Sequence, residues 1–372
     1  MYRNIYLDAP NIGEREKEFL CRAVDSGFVS TIGPFVEEFE HRFADYLSLS
    51  RTVSVQSGTA ALHMALYELG IAPGDEVIVP ALTFIASVNP VSYVGATPVF
   101  VDVDRDTWTI DPLQIENAIT ANTRAIIPVH LFGNPCDMDA IMAVAHRHDL
   151  FVIEDATESL GATFKNRQTG TIGDLGCFSF NGNKVITTGG GGMVVGKDSR
   201  HLEHIRFLVN QSRDESYGYY HPEIGFNYRM TNIEAALGLA QLGRIDFFLQ
   251  HRKQLNQCYS DEFCNASQIR LQGNHPQASS SNWLTCGTVQ RGIDVPSLQS
   301  ALREQGIQTR RIFLPLTEQP PYRKFVRHGC PNASEIYQQG ICLPSSTLND
   351  QDDINHVCKV IKGILQGLSR CY

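Results

Sequence analysis

The stretch FSFNGNKVITTGGGGM, residues 178–193, places one lysine, Lys184, between an aromatic strand end and four consecutive glycines. How those glycines are read decides the fold. Such a run suits a phosphate-cradling P-loop, a flexible linker or a tight turn, and each belongs to a different architecture. The chain contains no G-x-x-x-x-G-K-[ST], so the P-loop fails. No G-x-G-x-x-G joins an early strand to a helix, which removes the dinucleotide fold and with it an NAD-dependent oxidoreductase. Gly189–Gly192 then reads as a permissive turn leading into the apolar strand MVVG, and the lysine is the residue to explain.

Upstream, short apolar runs alternate with helical patterns. DEVIVP (75–80), TPVFVDV (97–103), RAIIPVH (124–130) and LFVIED (150–155) are rich in Val and Ile and bounded by Gly, Pro or Asp, as buried strands are. Between them, SGTAALHMALYELG sets Leu62, Ala65, Leu66 and Leu69 at helical spacing, with Ser57 as N-cap and Gly70 as stop. MDAIMAVAHRHD (138–149) repeats the pattern. This alternation predicts an α/β fold, a mainly parallel sheet with helices on both faces. Beyond residue 245 the texture changes. HPQASSSN (275–282) reads as a polar loop, Asp294 and Pro296 open a helix, and DDINHVCKVIKGILQGL (352–368) is amphipathic. Two domains are expected, 1–245 and a smaller α+β domain, 246–372, sharing a cleft.

Composition narrows the function. The chain carries 31 basic and 40 acidic residues, a net charge of −9, so it has no overall basic field for nucleic acid. No stretch approaches the ~20 apolar residues of a membrane helix. The opening MYRNIYLDAPNIGEREKEFL has no apolar core of a secretion signal, and a cytoplasmic location is expected. Ten scattered cysteines without a C-x-x-C read as free thiols rather than a metal site.

The chemistry lies at two strand ends. Asp155 closes an apolar strand, where open α/β sheets form their ligand crevice, and a carboxylate there is costly to bury without a cation or donor. Lys184 follows the next short strand, GCFSF. A lysine and an aspartate at neighbouring strand ends are what pyridoxal phosphate (PLP) requires. The lysine forms a Schiff base with the aldehyde, and the acid pairs with the protonated ring nitrogen. The phosphate needs donors, and VQSGTAAL (55–62) opens a helix whose first amides and dipole favour an anion. Thr59 and Ser179 add hydroxyls.

With these residues in place, the chain resembles the DegT/DnrJ/EryC1/StrS sugar aminotransferases, which have the type-I fold of PLP-dependent transferases. The resemblance is carried by GPFVEEFEHRFADYL, SVQSGTAALHMAL, PALTFIASVNPV, PVHLFGNPCDMDAI, VIEDATESLGATF, GTIGDLGCFSFNGNKVITTGGGGM, GFNYRMTNIEAALGLAQL and ICLPSST, in order over nearly the whole length. It implies Lys184 as the Schiff-base lysine and Asp155 as the ring-nitrogen partner. Phe84 would stack on the ring, and Gly58, Thr59 and Ser179 would hold the phosphate. Glu158 would lie near the phenolic oxygen, and Asn227 would reach the phosphate from the neighbouring subunit of a homodimer. Arg229 is open between the interface, a substrate anion and a structural salt bridge. Arg310 and Arg311 are open between a diphosphate and solvent.

The reaction so implied is a two-stage transamination, in which L-glutamate converts PLP to pyridoxamine phosphate and the amine passes to a nucleotide-linked keto sugar. Lys184 would shuttle the proton. The loop containing Asn181 looks most like members that aminate C4 of UDP-linked 4-keto-6-deoxy-N-acetylhexosamines, with GDP-perosamine-type chemistry as the alternative. One departure stands out: relatives with PLHxQPxY carry a histidine where PLTEQPPY (315–322) has Thr317. Lys184 argues against the sugar dehydratases of the family, which replace it with histidine. Retention of Lys184 and Asp155 argues against a non-catalytic regulator.

Overall fold

The computed structural model describes residues 4–369. Seven strands form the central sheet: β1 (Thr52–Val55), β2 (Glu76–Pro80), β3 (Thr97–Val101), β4 (Thr123–Ile126), β5 (Phe151–Asp155), β6 (Leu175–Ser179) and β7 (Gly192–Gly196). Their spatial order is β1-β7-β6-β5-β4-β2-β3. From β3 across to β6 every pairing is parallel, while β7 runs antiparallel to both β6 and β1. Alternation along β2 shows why the runs are uniformly apolar. Val77 and Val79 enter the core shared with helix Gly58–Glu68, and Ile78 enters the one shared with helix Met138–His148, so both faces are covered.

Helix starts follow their caps. Ser57 Oγ accepts from Ala60 N at 3.0 Å, Asp137 Oδ1 from Ala140 N at 3.1 Å, and Asp294 Oδ2 from Ser297 N at 2.9 Å. Helix Gly58–Glu68 buries more than the predicted stripe, since Ala61 and Met64 are also enclosed. A helix apolar nearly all round belongs between layers rather than on a surface.

Two strands end earlier than the sequence pattern suggests. β3 stops at Val101 because the carboxylate of Asp102 turns aside to accept N–H groups of Val103, Asn332 and Ala333, each at 2.9 Å. β4 stops at Ile126, after which the chain runs on irregularly, held by Ile127 N to Ile78 O at 2.8 Å. The segment HPQASSSN is more ordered than a polar loop. Ala278–Ser279 pairs with Thr163–Phe164, and Ser280 Oγ and Ser281 N bond Gly133 O at 2.9 and 3.1 Å.

A second, antiparallel sheet contains β8 (Ile269–Leu271), β9 (Thr285–Val289), β10 (Arg310–Arg311) and β11 (Gly340–Leu343), in the order β8-β9-β11-β10. It packs with helices Ile245–Phe263, Val295–Glu304 and Gln351–Ser369 around a separate apolar cluster. Ile5 belongs to that cluster too. Its N–H bonds Gly306 O and its carbonyl accepts from Gln308 N, both at 3.0 Å, Tyr6 N reaches Asn349 Oδ1 at 2.9 Å, and Leu7 O accepts from Ser345 N at 2.7 Å. Among the described residues no helix is long and apolar enough to cross a membrane.

Candidate active site

A cavity of 330 Å³ opens where β5 and β6 end, between the central sheet and the loop that precedes β9. Nine predicted residues line it: Gly58, Thr59, Phe84, Asp155, Glu158, Ser179, Asn181, Lys184 and Arg310.

Asp155 is the last residue of β5 and is 2% exposed. Its Oδ2 accepts from Ser87 Oγ at 2.6 Å and its Oδ1 from Thr157 N at 3.1 Å. Ser87 Oγ is in turn 2.9 Å from Thr83 Oγ1. These donors are neutral, and among the described residues no ion pair reaches the carboxylate. Its direction is set one residue earlier. Glu154, fully buried, accepts from His130 Nε2 at 2.9 Å and from the amides of Gly170, Ile172 and Gly173 at 2.9, 2.6 and 2.7 Å. Because His130 Nδ1 accepts the Cys136 N–H at 3.1 Å, that ring is neutral and donates through Nε2. With Glu154 locked on one face of β5, Asp155 must point to the other.

Lys184 lies on the connection from β6 to β7, a hairpin closed by an Asn181–Gly189 bridge and by Thr188 N to Phe180 O at 2.9 Å. The glycines that the sequence reads as a turn are held in bridges, Gly189 to Asn181 and Gly191 to Ser57, and Gly192 already opens β7. Gly191 has φ +93°, and a Cβ on Gly192 would meet Ser57 O at 2.6 Å, so the turn is pressed against the start of helix Gly58–Glu68. Lys184 is 13% exposed, with Nζ 3.6 Å from Glu158 Oε1 and 4.0 Å from the centroid of the Trp283 ring. Burial lowers the pKa of the lysine against the pull of Glu158 and Asp155. Burial likewise raises that of Glu158, which Lys184 and the Phe132 amide, donating to Oε2 at 2.8 Å, only partly offset. Both shifts favour a proton that can leave the lysine, as a proton carrier near neutrality needs.

Opposite, the first turn of helix Gly58–Glu68 faces the cavity. The amides of Gly58 and Thr59 lie ahead of the first intrahelical bond, Ala61 N to Ser57 O at 3.0 Å, and so are open to an anion. Gly58 has no room for a side chain: a Cβ would sit 2.8 Å from both Ser179 Cβ and Thr157 Cγ2.

Phe84 is 51% exposed in the cavity wall, its ring 5.5 Å from Phe313. Arg310 lies 3.5 Å from Asp8, and its Nε and Nη2 are buried without a hydrogen-bond partner. Four predicted residues lie outside this chain's cavity, one of them Arg311, whose Nη2 donates to Tyr337 O at 2.7 Å. Asn227 is exposed and pairs through its backbone with Asn210, and Arg229 bridges Val55. Thr317 sits in a 3-10 turn, Leu316–Glu318, where Leu316 N bonds Ala81 O at 2.7 Å, so PLTEQPPY braces the exit of β2 instead of lining the cavity. Sequence reasoning missed Ser87, Trp283 and Phe313, all of which line it. The described residues contain no group of three or more His, Cys, Asp or Glu that could hold a metal ion, and their nine cysteines are free. The tenth, Cys371, lies outside the described residues.

A profile of the DegT/DnrJ/EryC1/StrS aminotransferase family matches residues 10–362. The GDP-perosamine synthase of Caulobacter vibrioides is 40% identical over 365 residues, 97% of this chain and 98% of that protein. The GDP-perosamine synthase of Escherichia coli O157:H7 is 39% identical over 353 residues, 95% and 96% of the two chains. A Streptococcus pneumoniae protein described as a sugar aminotransferase, solved in its PMP form, superposes with a TM-score of 0.94 at 30% identity over 99% of each chain.

Proposed function

The chain belongs to the DegT/DnrJ/EryC1/StrS aminotransferase family and is a PLP-dependent sugar aminotransferase, and on that premise we propose that it moves the amino group of L-glutamate to C4 of a nucleotide-linked 4-keto-6-deoxy sugar. The observation that carries this reading is the convergence of Lys184 and Asp155 on one cavity beside an anion-ready helix start. PLP fits these residues. A buried carboxylate with only neutral donors suits a protonated ring nitrogen, and the amides of Gly58 and Thr59 with Ser179 suit the phosphate. When bound, PLP supplies an electron sink that acidifies the carbon bearing the amino group.

The chain's own groups do the rest. Lys184 Nζ would anchor the cofactor and hold the proton in transit. Asp155, whose oxygens are held by Ser87 Oγ and the Thr157 amide, would pair with the ring nitrogen. Phe84 would cover the ring, and Glu158, 3.6 Å from Nζ, orients the lysine.

For the nucleotide, guanosine is the first choice, because two relatives covering nearly the whole chain carry the name GDP-perosamine synthase. Uridine is the second reading and rests on the likeness of FSFNGNKVITTGGGGM to members acting on UDP-linked N-acetylhexosamines, with Asn181 of that loop in the cavity wall. The test follows the cofactor's absorbance in the PLP-loaded protein. Glutamate should remove the PLP band, and GDP-4-keto-6-deoxymannose should restore it. Restoration only by UDP-4-keto-6-deoxy-GlcNAc selects the second reading. Restoration by neither removes the 4-keto sugar as acceptor.

A further inference from the structure

We propose that Trp283 is a positioning residue for Lys184, its indole face holding the lysine's ammonium during the interval in which that amine carries a proton. This rests on the reading of Lys184 as the proton carrier given above. Nζ stands 4.0 Å from the indole centroid, well within the ~6 Å over which a ring face attracts a cation. The ring cannot turn away. Its Nε1–H donates to Asn183 O at 2.6 Å, one residue before the lysine, and Phe132 stacks on it at 6.3 Å and 28°. Its own carbonyl accepts from Arg252 Nη1 at 2.5 Å. Trp283 is 2% exposed and the Lys184 side chain 13%, so the contact is largely screened from solvent, which strengthens such attraction.

The charged groups around the amine are few. Glu158 lies 3.6 Å away, and Asp155 acts on it from the end of β5. Arg310 repels it, with its guanidinium carbon 5.8 Å from the centroid of the same indole. A second carboxylate in place of the indole would also favour the ammonium, but it would occupy an N–H in a directional bond. A π face draws the charge and leaves the N–H groups free to aim at the substrate carbon. Trp283 therefore favours the charged amine without tethering the proton that must be handed on.

The experiment is the glutamate half-reaction of the PLP-loaded protein, followed by stopped-flow absorbance across pH, which does not depend on the identity of the sugar. Trp283→Leu keeps apolar bulk and removes the π face, whereas Trp283→Phe keeps a weaker one. Without the face the lysine's pKa falls, so the acid limb of the rate moves to lower pH. The expected shift is about one unit, a tenfold change in that equilibrium, and the plateau rate drops about three- to tenfold. The KM for glutamate should stay within about threefold and the Phe variant should fall between, since Lys184 does not bind the donor's carboxylates. Equal behaviour of the Leu and Phe variants with an unmoved limb, or a loss confined to KM, overturns the proposal. If Leu prevents folding, Trp283→Met against Trp283→Phe carries the same comparison. Lys184→Ala is the control on the underlying reading: wild-type bleaching by glutamate in that variant would remove Lys184 as the carrier, a failure distinct from any result at Trp283.

Discussion

A two-link relay, Thr83 to Ser87 to Oδ2, orients the side chain of Asp155, and that relay is where single residues can be tested. Ser87→Ala removes a charge-assisted donor worth about 1.5–3 kcal/mol. The glutamate half-reaction should slow about ten- to hundredfold with PLP still bound, while Thr83→Val, acting one link away, costs less. A rate unchanged in Ser87→Ala would show that the Thr157 amide suffices. That Lys184 and Asp155 would meet at one cavity was legible in the sequence, because one follows and the other ends an apolar strand of the same sheet. Ser87 and Trp283 were not, because their roles depend on meeting residues 68 and about 100 positions away, and a hydroxyl or an indole by itself has many ordinary uses.

Among the elements, the helix Gly58–Glu68 joins packing to function most directly. Its start presses on β6 so closely that Gly58→Ala would drive a Cβ into Ser179 and Thr157, displacing the helix from the phosphate position. PLP affinity should fall at least about tenfold, with a stability loss of only about 1–3 kcal/mol. Equilibrium dialysis beside a thermal melt separates the two. Unaltered affinity would place the phosphate elsewhere. The existence of this helix, its cap and its stop at Gly70 could be read from periodicity. The need for glycine at position 58 could not, since it arises from a contact between segments. The early ends of β3 and β4 were hidden for the same reason: the groups that divert the chain, such as the amides of Asn332 and Ala333, come from far along it.

At the scale of the molecule, Asn227 and Arg229 lie away from their own chain's cavity, and the neighbouring surface exposes Tyr217, Tyr219, Tyr220 and Ile224. That arrangement suits a second copy, whose cavity Asn227 would enter. Mixing Lys184→Ala with Asn227→Asp tests it, because a mixed dimer has one site carrying both lesions and one carrying neither. Random exchange should restore about a quarter of wild-type activity. No recovery, with mixed dimers verified by mass, would return Asn227 to its own chain. The segment around Ile5 and Leu7 has a consequence for how the protein is made. Its partners, Gly306, Gln308, Ser345 and Asn349, follow it by about 300 positions, and Asp8 bonds both Asn183, beside Lys184, and Arg310. A ribosome adding ~5–20 residues per second leaves this segment waiting roughly 15–60 s for them. The cavity is thus finished by a segment that must wait for docking partners made about 300 residues after it.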